Sequence, residues 1–352
     1  MYPFYLGIDL HLKRTYAVLM DNMGQIIDER RMPNDEMQEY LKETVPRNTY
    51  AVLEATRNWP FMYDLLSEHV DRVELAHPKE LHLIAKAVIK DDPIDSKALA
   101  NLARLNYLPI AYAAPRDIRD LRTYMRHRDW LITQRTRTKN RVHAMLAYYN
   151  LVSPVTDLFG YKGREFLDKV MPTLRSAARR VVVDSLDLID HLNQNIKKLE
   201  NEYELNPEQK KQIKLLTTIP GVGQIIATVI LAEIGDIRRF NNPKALCNWA
   251  GLTPRIRKSD QSVRHGRISK QGSSYLRGAM TRAATVASRT SKRWYPVHEK
   301  LVPRCGKTGA KVAIARRLLT VVYFMLKRNQ LYQEEYSKII QLTGEPESLH
   351  GS

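Results

Sequence analysis

Short apolar runs broken by charged pairs dominate the first hundred residues. Tyr5–Asp9, Tyr16–Met20 and Gln25–Arg30 predict three neighbouring β-strands, the second and third joined by a turn at Asp21-Asn22-Met23-Gly24. Asn34–Lys42 predicts a helix capped by Asn34. Tyr50–Glu54 follows as a strand, Phe61–Glu68 as a helix, and Val73–Ala76 as a strand ending at His77-Pro78. Adjacent strands followed by alternating helices and strands predict a mixed α/β layer.

From Pro115 the period changes. Arg116–Tyr149 contains neither Gly nor Pro and predicts one long helix, whereas Pro154, Gly160, Gly163 and Pro172 break the stretch that follows. Ser176–Tyr203 is again free of breakers. There Val182, Ile189, Ile196 and Tyr203 recur every seven residues, with Leu192 and Leu199 between them. Such a seam fits coiled-coil pairing or ordinary bundle packing, within one chain or between subunits. Beyond Pro207 the pattern predicts helices joined by the loop Ile219-Pro220-Gly221-Val222-Gly223, and a basic amphipathic helix over Lys307–Lys327. The expected architecture is therefore α/β plus α. An α/β domain spans 1–115, a long helical, coiled-coil middle 116–205, a helical C-terminal domain with a helix-hairpin-helix 206–331, and a flexible tail 332–352.

Composition sharpens this picture through its asymmetry. The 352 residues carry a net charge of +18, yet residues 1–100 are net −5 and the remainder net +23. A mildly acidic head on a strongly basic body predicts chemistry in one part and polyanion binding in the other. Two cysteines, Cys247 and Cys305, are too few for a disulfide framework and point to a cytoplasmic protein. A charge within the first dozen residues argues against a signal peptide. No uncharged apolar run approaches the ~20 residues of a membrane span.

Asp9 sits in the apolar strand Leu6-Gly7-Ile8-Asp9-Leu10, where a carboxylate is costly unless paired or metal-bound. Glu54 ends a second apolar strand. Asp92 and Asp95, in Asp91-Asp92-Pro93-Ile94-Asp95-Ser96, share one face at the start of a helix. Four carboxylates from two strands and a helix suit a hard cation, Mg²⁺ or Mn²⁺. Taken alone, Asp92 and Asp95 also read as a helix cap and a first-turn acid. Gly7-Ile8-Asp9 also opens the actin-like kinase fold, but only Gly7 and Gly24 occur in the first 150 residues, so no phosphate-cradling loop exists there. Gly221 and Gly223 would let the backbone approach a nucleic-acid phosphate. Arg126, Arg128, Arg135, Arg137 and Arg141 stud the long helix and are expected to bind nucleic acid, and Arg255–Arg293 carries a net charge of +10 around Ser259, Ser262, Ser269, Ser273 and Ser274. Any of these serines fits a nucleophile or a phosphate contact.

The order GIDLH, LEAT, DDPIDSKALA, IPGVG, NWAGLTPRIRKS and GRISKQGSSYLR resembles the DEDD transposases of bacterial insertion sequences, close to the pilin-gene-inverting recombinases. The resemblance covers roughly residues 5–330. It implies an RNase-H-type, RuvC-like N-terminal domain whose metal-binding quartet is Asp9, Glu54, Asp92 and Asp95. It also implies a C-terminal transposase domain whose nucleophilic serine is Ser259. On this reading Ser259 forms a phosphoserine link to DNA, with Arg255, Arg257, Lys258 and Arg264 stabilising the reacting phosphate, and Lys270 contacting nucleic acid nearby. Implied partners are donor and target DNA, a structured noncoding guide RNA, and further copies of the chain in a dimer or tetramer contacting through the 176–203 heptads. Two rival functions are a Mg²⁺-dependent junction-resolving nuclease that uses water, and a non-catalytic RNA/DNA-binding protein.

Overall fold

A computed structural model of the chain describes residues 2–78, 80–81, 92–259 and 262–333, with the backbone alone at 92–94, 256–259 and 262–265. The chain divides into two compact units, Met1–Ala113 and Ala114–Ser352.

The first unit contains six strands: β1 (Phe4–Leu10), β2 (Arg14–Asp21), β3 (Ile26–Pro33), β4 (Thr49–Glu54), β5 (Arg72–Ala76) and β6 (Ile110–Ala111). They form one sheet in the order β3-β2-β1-β4-β5-β6. β1, β2 and β3 pair antiparallel, β4 and β5 run parallel to β1, and β6 returns antiparallel. Helices α1 (Met37–Glu43), α2 (Trp59–His69) and α3 (Asp92–Arg104) cover it. The mixed α/β expectation is met, and the sheet is consistent with a nuclease-like domain.

Strand alternation divides the side chains between two cores. Leu6, Ile8 and Leu10 of β1 and Ala51 and Leu53 of β4 pack with Met37, Leu41, Met62 and Leu66 of α1 and α2. Tyr5 of β1 and Tyr50 and Val52 of β4 pack with Leu99, Ala100 and Ala103 of α3. Both faces of β1 and β4 are thus buried, which is why these strands read as continuous apolar runs. The expected Asn34 cap is corrected: α1 starts after Glu36. Asn34 instead accepts a hydrogen bond from the buried Thr15 hydroxyl (2.7 Å) and donates to the carbonyls of His11 and Leu12 (3.1 Å each).

The second unit holds α4 (Arg116–Tyr148), α5 (Tyr161–Val170), α6 (Ser176–Glu202), α7 (Pro207–Leu216), α8 (Gln224–Ile234), α9 (Pro243–Trp249), α10 (Ser274–Thr290) and α11 (Trp294–Arg328). α11 breaks at Gly306, where φ is +71°. α4 and α6 pack along each other. Val182 and Ile189 share a buried cluster with Val142 and Leu146 of α4, and Leu192 and Ile196 share one with Leu131. The heptad seam is therefore closed inside one chain, which corrects the expectation that it forms the contact between subunits. The remaining helices enclose a large apolar core that includes Leu216, Ile230, Met280, Ala283 and Leu318.

The expectation of a wholly helical C-terminal region is also corrected. β7 (Pro254–Ser259) and β8 (Ser262–Ile268) form an antiparallel hairpin. Most of the 332–352 tail lies outside the described residues. Tyr332, however, is docked: its hydroxyl accepts from Trp294 Nε1 and its amide donates to Thr218 Oγ1. Among the described residues no helix is long and apolar enough to cross a membrane.

Candidate active site and nucleic-acid interface

The parallel register of β1 and β4 runs from Phe4↔Thr49 to Ile8↔Leu53, so Asp9 and Glu54 each follow the last residue by which these two strands pair. By alternation both lie on the face that α3 covers, continuing Tyr5 and Gly7 on one strand and Tyr50 and Val52 on the other. The approach of α3 depends on Gly7. A Cβ there would lie 1.9 Å from the Ser96 carbonyl oxygen and 2.8 Å from the Ala100 nitrogen. Gly7 is thus a packing glycine, and its absence from any phosphate loop agrees with the missing Gly-rich motif.

The fully buried Ser96 pins the start of α3 to the sheet. Its hydroxyl accepts from the Asp9 amide (3.1 Å) and donates to the Tyr16 carbonyl (3.0 Å), tying the helix to β1 and β2 together. Asp95, the preceding residue, is exposed in the first turn, and Asp92 is the first residue of the same helix. The Asp92 side chain and Asp91 lie outside the described residues. The Asp9 carboxylate is 16% exposed and 3.2 Å from His11 Nε2. The His11 carbonyl in turn accepts from Asn34 and Asn58, so two amides hold the turn that follows Asp9. Among the described residues no three His, Cys, Asp or Glu side chains are grouped closely enough to hold a metal ion. The donor types nevertheless suit one: Asp9 and Glu54 stand on neighbouring strands of the face that α3 covers, Asp95 lies in the first turn of α3, and all are hard oxygen donors.

Sequence reasoning missed Ser96, His11 and Asn58 and misassigned Asn34. The available signal for Ser96 was its spacing: it stands three and four residues before Leu99 and Ala100, on the buried side of its helix.

In the second unit Ser259 is the last residue of β7 and pairs with Ser262; residues 260–261 lie outside the described residues. The register sets Arg257 opposite Arg264 and Lys258 opposite Val263. The hairpin base is tight. A Cβ on Gly251 (φ +70°) would lie 2.1 Å from the Gln271 carbonyl oxygen, and one on Gly272 (φ +77°) 1.9 Å from that of Trp249. The NWAGL and SKQG segments are therefore pressed backbone to backbone. Arg277 donates to the carbonyls of Ala250, Gln271 and Gly272, and burial lowers its pKa. Arg255 donates to the Ser269 carbonyl, and Lys270 is exposed in a left-handed conformation at φ +56°. Of the five candidate serines, Ser273 caps α10 through the Leu276 amide, and the Ser269 hydroxyl is buried with no hydrogen-bond partner among the described residues.

The arginines of α4 fall into two sets. Arg126 binds Glu233 of α8 through both nitrogens, Nε–Oε1 at 2.8 Å and Nη2–Oε2 at 2.9 Å, and this hydrogen bonding raises its pKa. Arg128 pairs with Glu200 of α6, and Arg135 donates to Asn193. Arg137 and Arg141 are exposed, with no hydrogen bond or ion pair among the described residues. At the α7–α8 connection Gly221 (φ +84°) is pressed on α10, where a Cβ would meet the Ala283 carbonyl oxygen at 2.4 Å. Gly223 has open space around it and precedes the first turn of α8.

Comparison with known proteins places these elements. Residues 6–151 match a family described as Transposase, of the DEDD IS110 type, and residues 213–299 match the Transposase IS116/IS110/IS902 family. A probable family 20 transposase of Pseudomonas aeruginosa is 24% identical over 93% of this chain and 98% of its own length. A pilin gene-inverting protein of Moraxella bovis is 27% identical over 81% and 82% respectively, and the transposase for IS1111A of Coxiella burnetii 23% over 93% and 91%. The matches take in the carboxylate-bearing sheet, the long α4 helix and the β7–β8 hairpin, and the chain belongs to the IS116/IS110/IS902 family of insertion-sequence transposases.

Proposed function

We propose that this transposase cuts and rejoins DNA by a serine nucleophile that works with a carboxylate-bound divalent cation. The observation that carries the reading is the gathering of Asp9, Glu54 and the start of α3 at one end of one sheet face, with Ser96 tying helix to strand. Asp9, Glu54, Asp92 and Asp95 would hold Mg²⁺ or Mn²⁺. When bound, such an ion neutralises phosphate oxygens and lowers the barrier to attack on phosphorus.

The Ser259 hydroxyl loses its proton and attacks phosphorus. A Ser–O–P bond forms as the bond to one strand end breaks, and that end leaves as a hydroxyl carrying a proton. A hydroxyl of the new partner strand reverses the step, releasing serine and joining the strands. Arg255, Arg257, Lys258 and Arg264 would stabilise the extra negative charge on the phosphate, with Lys270 holding the flank. Arg257 and Arg264 stand at one rung of the hairpin, where like charges disfavour pairing unless an anion lies between them. Gly223, open at the start of α8, would receive a phosphate from the backbone side. Arg137 and Arg141 would bind the nucleic-acid backbone, including that of a structured guide RNA, and exchange between two duplexes calls for more than one copy of the chain.

The test is a denaturing gel of the protein incubated with labelled element-end DNA and Mg²⁺. A slow-migrating protein–DNA band is expected from wild type, lost in both Ser259→Ala and Asp9→Ala and retained in Ser262→Ala. DNA cut by wild type with no such band would instead establish a hydrolytic nuclease. A band that survives Ser259→Ala would place the nucleophile on another serine.

A further inference from the structure

The outward face of α4 carries a pattern that phosphate binding alone does not require. At about 100° per residue, Trp130, Gln134, Arg137, Arg141, Ala144 and Tyr148 fall along one line. That line is turned away from Leu131, Val142 and Leu146, which pack toward α6. Trp130 is 53% exposed and Tyr148 80%. The Trp130 ring is backed by His127, nearly parallel at 14° with centroids 5.7 Å apart, and Tyr148 is backed edge-on by Tyr149. Both rings keep half or more of their surface open to solvent. Between them stand the two arginines that have no partner among the described residues, and no acidic residue occurs from Trp130 to Thr156.

Two π-platforms flanking two unpaired guanidiniums match the chemistry of an unpaired polynucleotide, whose bases stack and whose phosphates pair with arginine. A duplex offers the same phosphates but keeps its base faces covered. Eighteen residues of helix separate the rings by about 27 Å, a span of several nucleotides. A second copy of the chain fits this face poorly. Antiparallel pairing of the two stripes would set Arg137 of one chain against Arg141 of the other, and no acid in the stripe would offset the repulsion.

We infer that the outer face of α4 from Trp130 to Tyr148 binds an unpaired stretch of nucleic acid by stacking. The inference rests on the proposed binding role of Arg137 and Arg141 and adds the kind of strand they hold. The test measures affinity of the full chain, by fluorescence anisotropy at fixed salt, for an unstructured pyrimidine strand as DNA, the same strand as RNA, and a DNA duplex.

Trp130→Ala and Tyr148→Ala are each expected to weaken single-strand binding by about 5- to 100-fold. Duplex binding should stay within about twofold, and Trp130→Phe should restore most of the loss. Whichever single strand loses affinity identifies the strand held; loss in both is expected if stacking alone decides. Equal losses for strand and duplex, or none, would overturn the stacking inference while leaving the arginine reading intact. A double Arg137→Ala/Arg141→Ala variant that binds everything as wild type would defeat the arginine reading itself. If Tyr148→Ala instead dissociates a dimer in sedimentation without changing strand affinity, the face belongs to a second copy and the inference fails.

Discussion

A methyl group added at Gly7 would lie 1.9 Å from the Ser96 carbonyl oxygen, too close for any rotamer change to relieve, because the obstacle is backbone. Gly7→Ala must therefore push α3 off β1 and carry Asp92 and Asp95 away from Asp9. Ser96→Ala acts more gently on the same junction. It leaves the Asp9 amide and the Tyr16 carbonyl without their buried partner, at a cost of about 1–3 kcal/mol. Faster hydrogen exchange at the Asp9 amide, with the second unit's exchange unchanged, is the expected result; unchanged protection at Asp9 would show that Ser96 does not pin the helix. At this scale the acids were legible and their supports were not. Asp9 and Glu54 stand out because a charge inside an apolar strand contradicts its surroundings. Ser96, Asn34 and Asn58 look like ordinary polar residues of helices and turns, since their partners lie 80, 19 and 47 residues away in the sequence.

Among the elements, the α4–α6 hairpin and its junction with α8 show how the same residue type serves two purposes. Arg126 meets a Glu233 carboxylate that is only 3% exposed, while Arg122 donates to the Ala232 and Glu233 carbonyls at the end of α8. Arg126→Ala strands a buried carboxylate. The expected destabilisation is about 2–3 kcal/mol, below the value for a fully buried pair because the guanidinium is 43% exposed. A thermal melt of the single variant beside Arg126→Met/Glu233→Leu checks this, since the double variant should recover most of the loss. α4 and α6 were legible because they lack Gly and Pro, and α6 also because its apolar residues recur every seven positions. Their partner was not, because a seam pattern is the same whether α4 or another subunit fills it. The β7–β8 hairpin was missed for a different reason: its strands are rich in Arg, Lys and Ser, so the period-two apolar signal that marks a half-buried strand is nearly absent.

For the whole molecule, the divided roles of the α4 arginines bear on how charge is used. The second unit holds all of the excess basic charge, but part of it is neutralised internally by Glu233, Glu200 and Asp129. Arg137→Ala/Arg141→Ala should therefore flatten the salt dependence of DNA binding, by about 0.9 in log–log slope for each duplex phosphate left without its arginine, with no change in melting temperature. Arg126→Ala should do the reverse, lowering the melting temperature and leaving the slope alone. A salt titration of both variants separates a binding cation from a structural one, and equal slopes in all three proteins would remove α4 from the interface. The closed seam between α4 and α6 also makes the hairpin a spacer of set length. Because seven residues make nearly two whole turns, one heptad inserted into each helix would extend the arm by about 10 Å and keep stripe and seam on their own sides. A single inserted residue would swing everything beyond it by about 100° and carry Arg137 and Arg141 round toward α6. The reach of this arm can therefore change only in steps of nearly whole turns, such as a heptad, made in both helices at once.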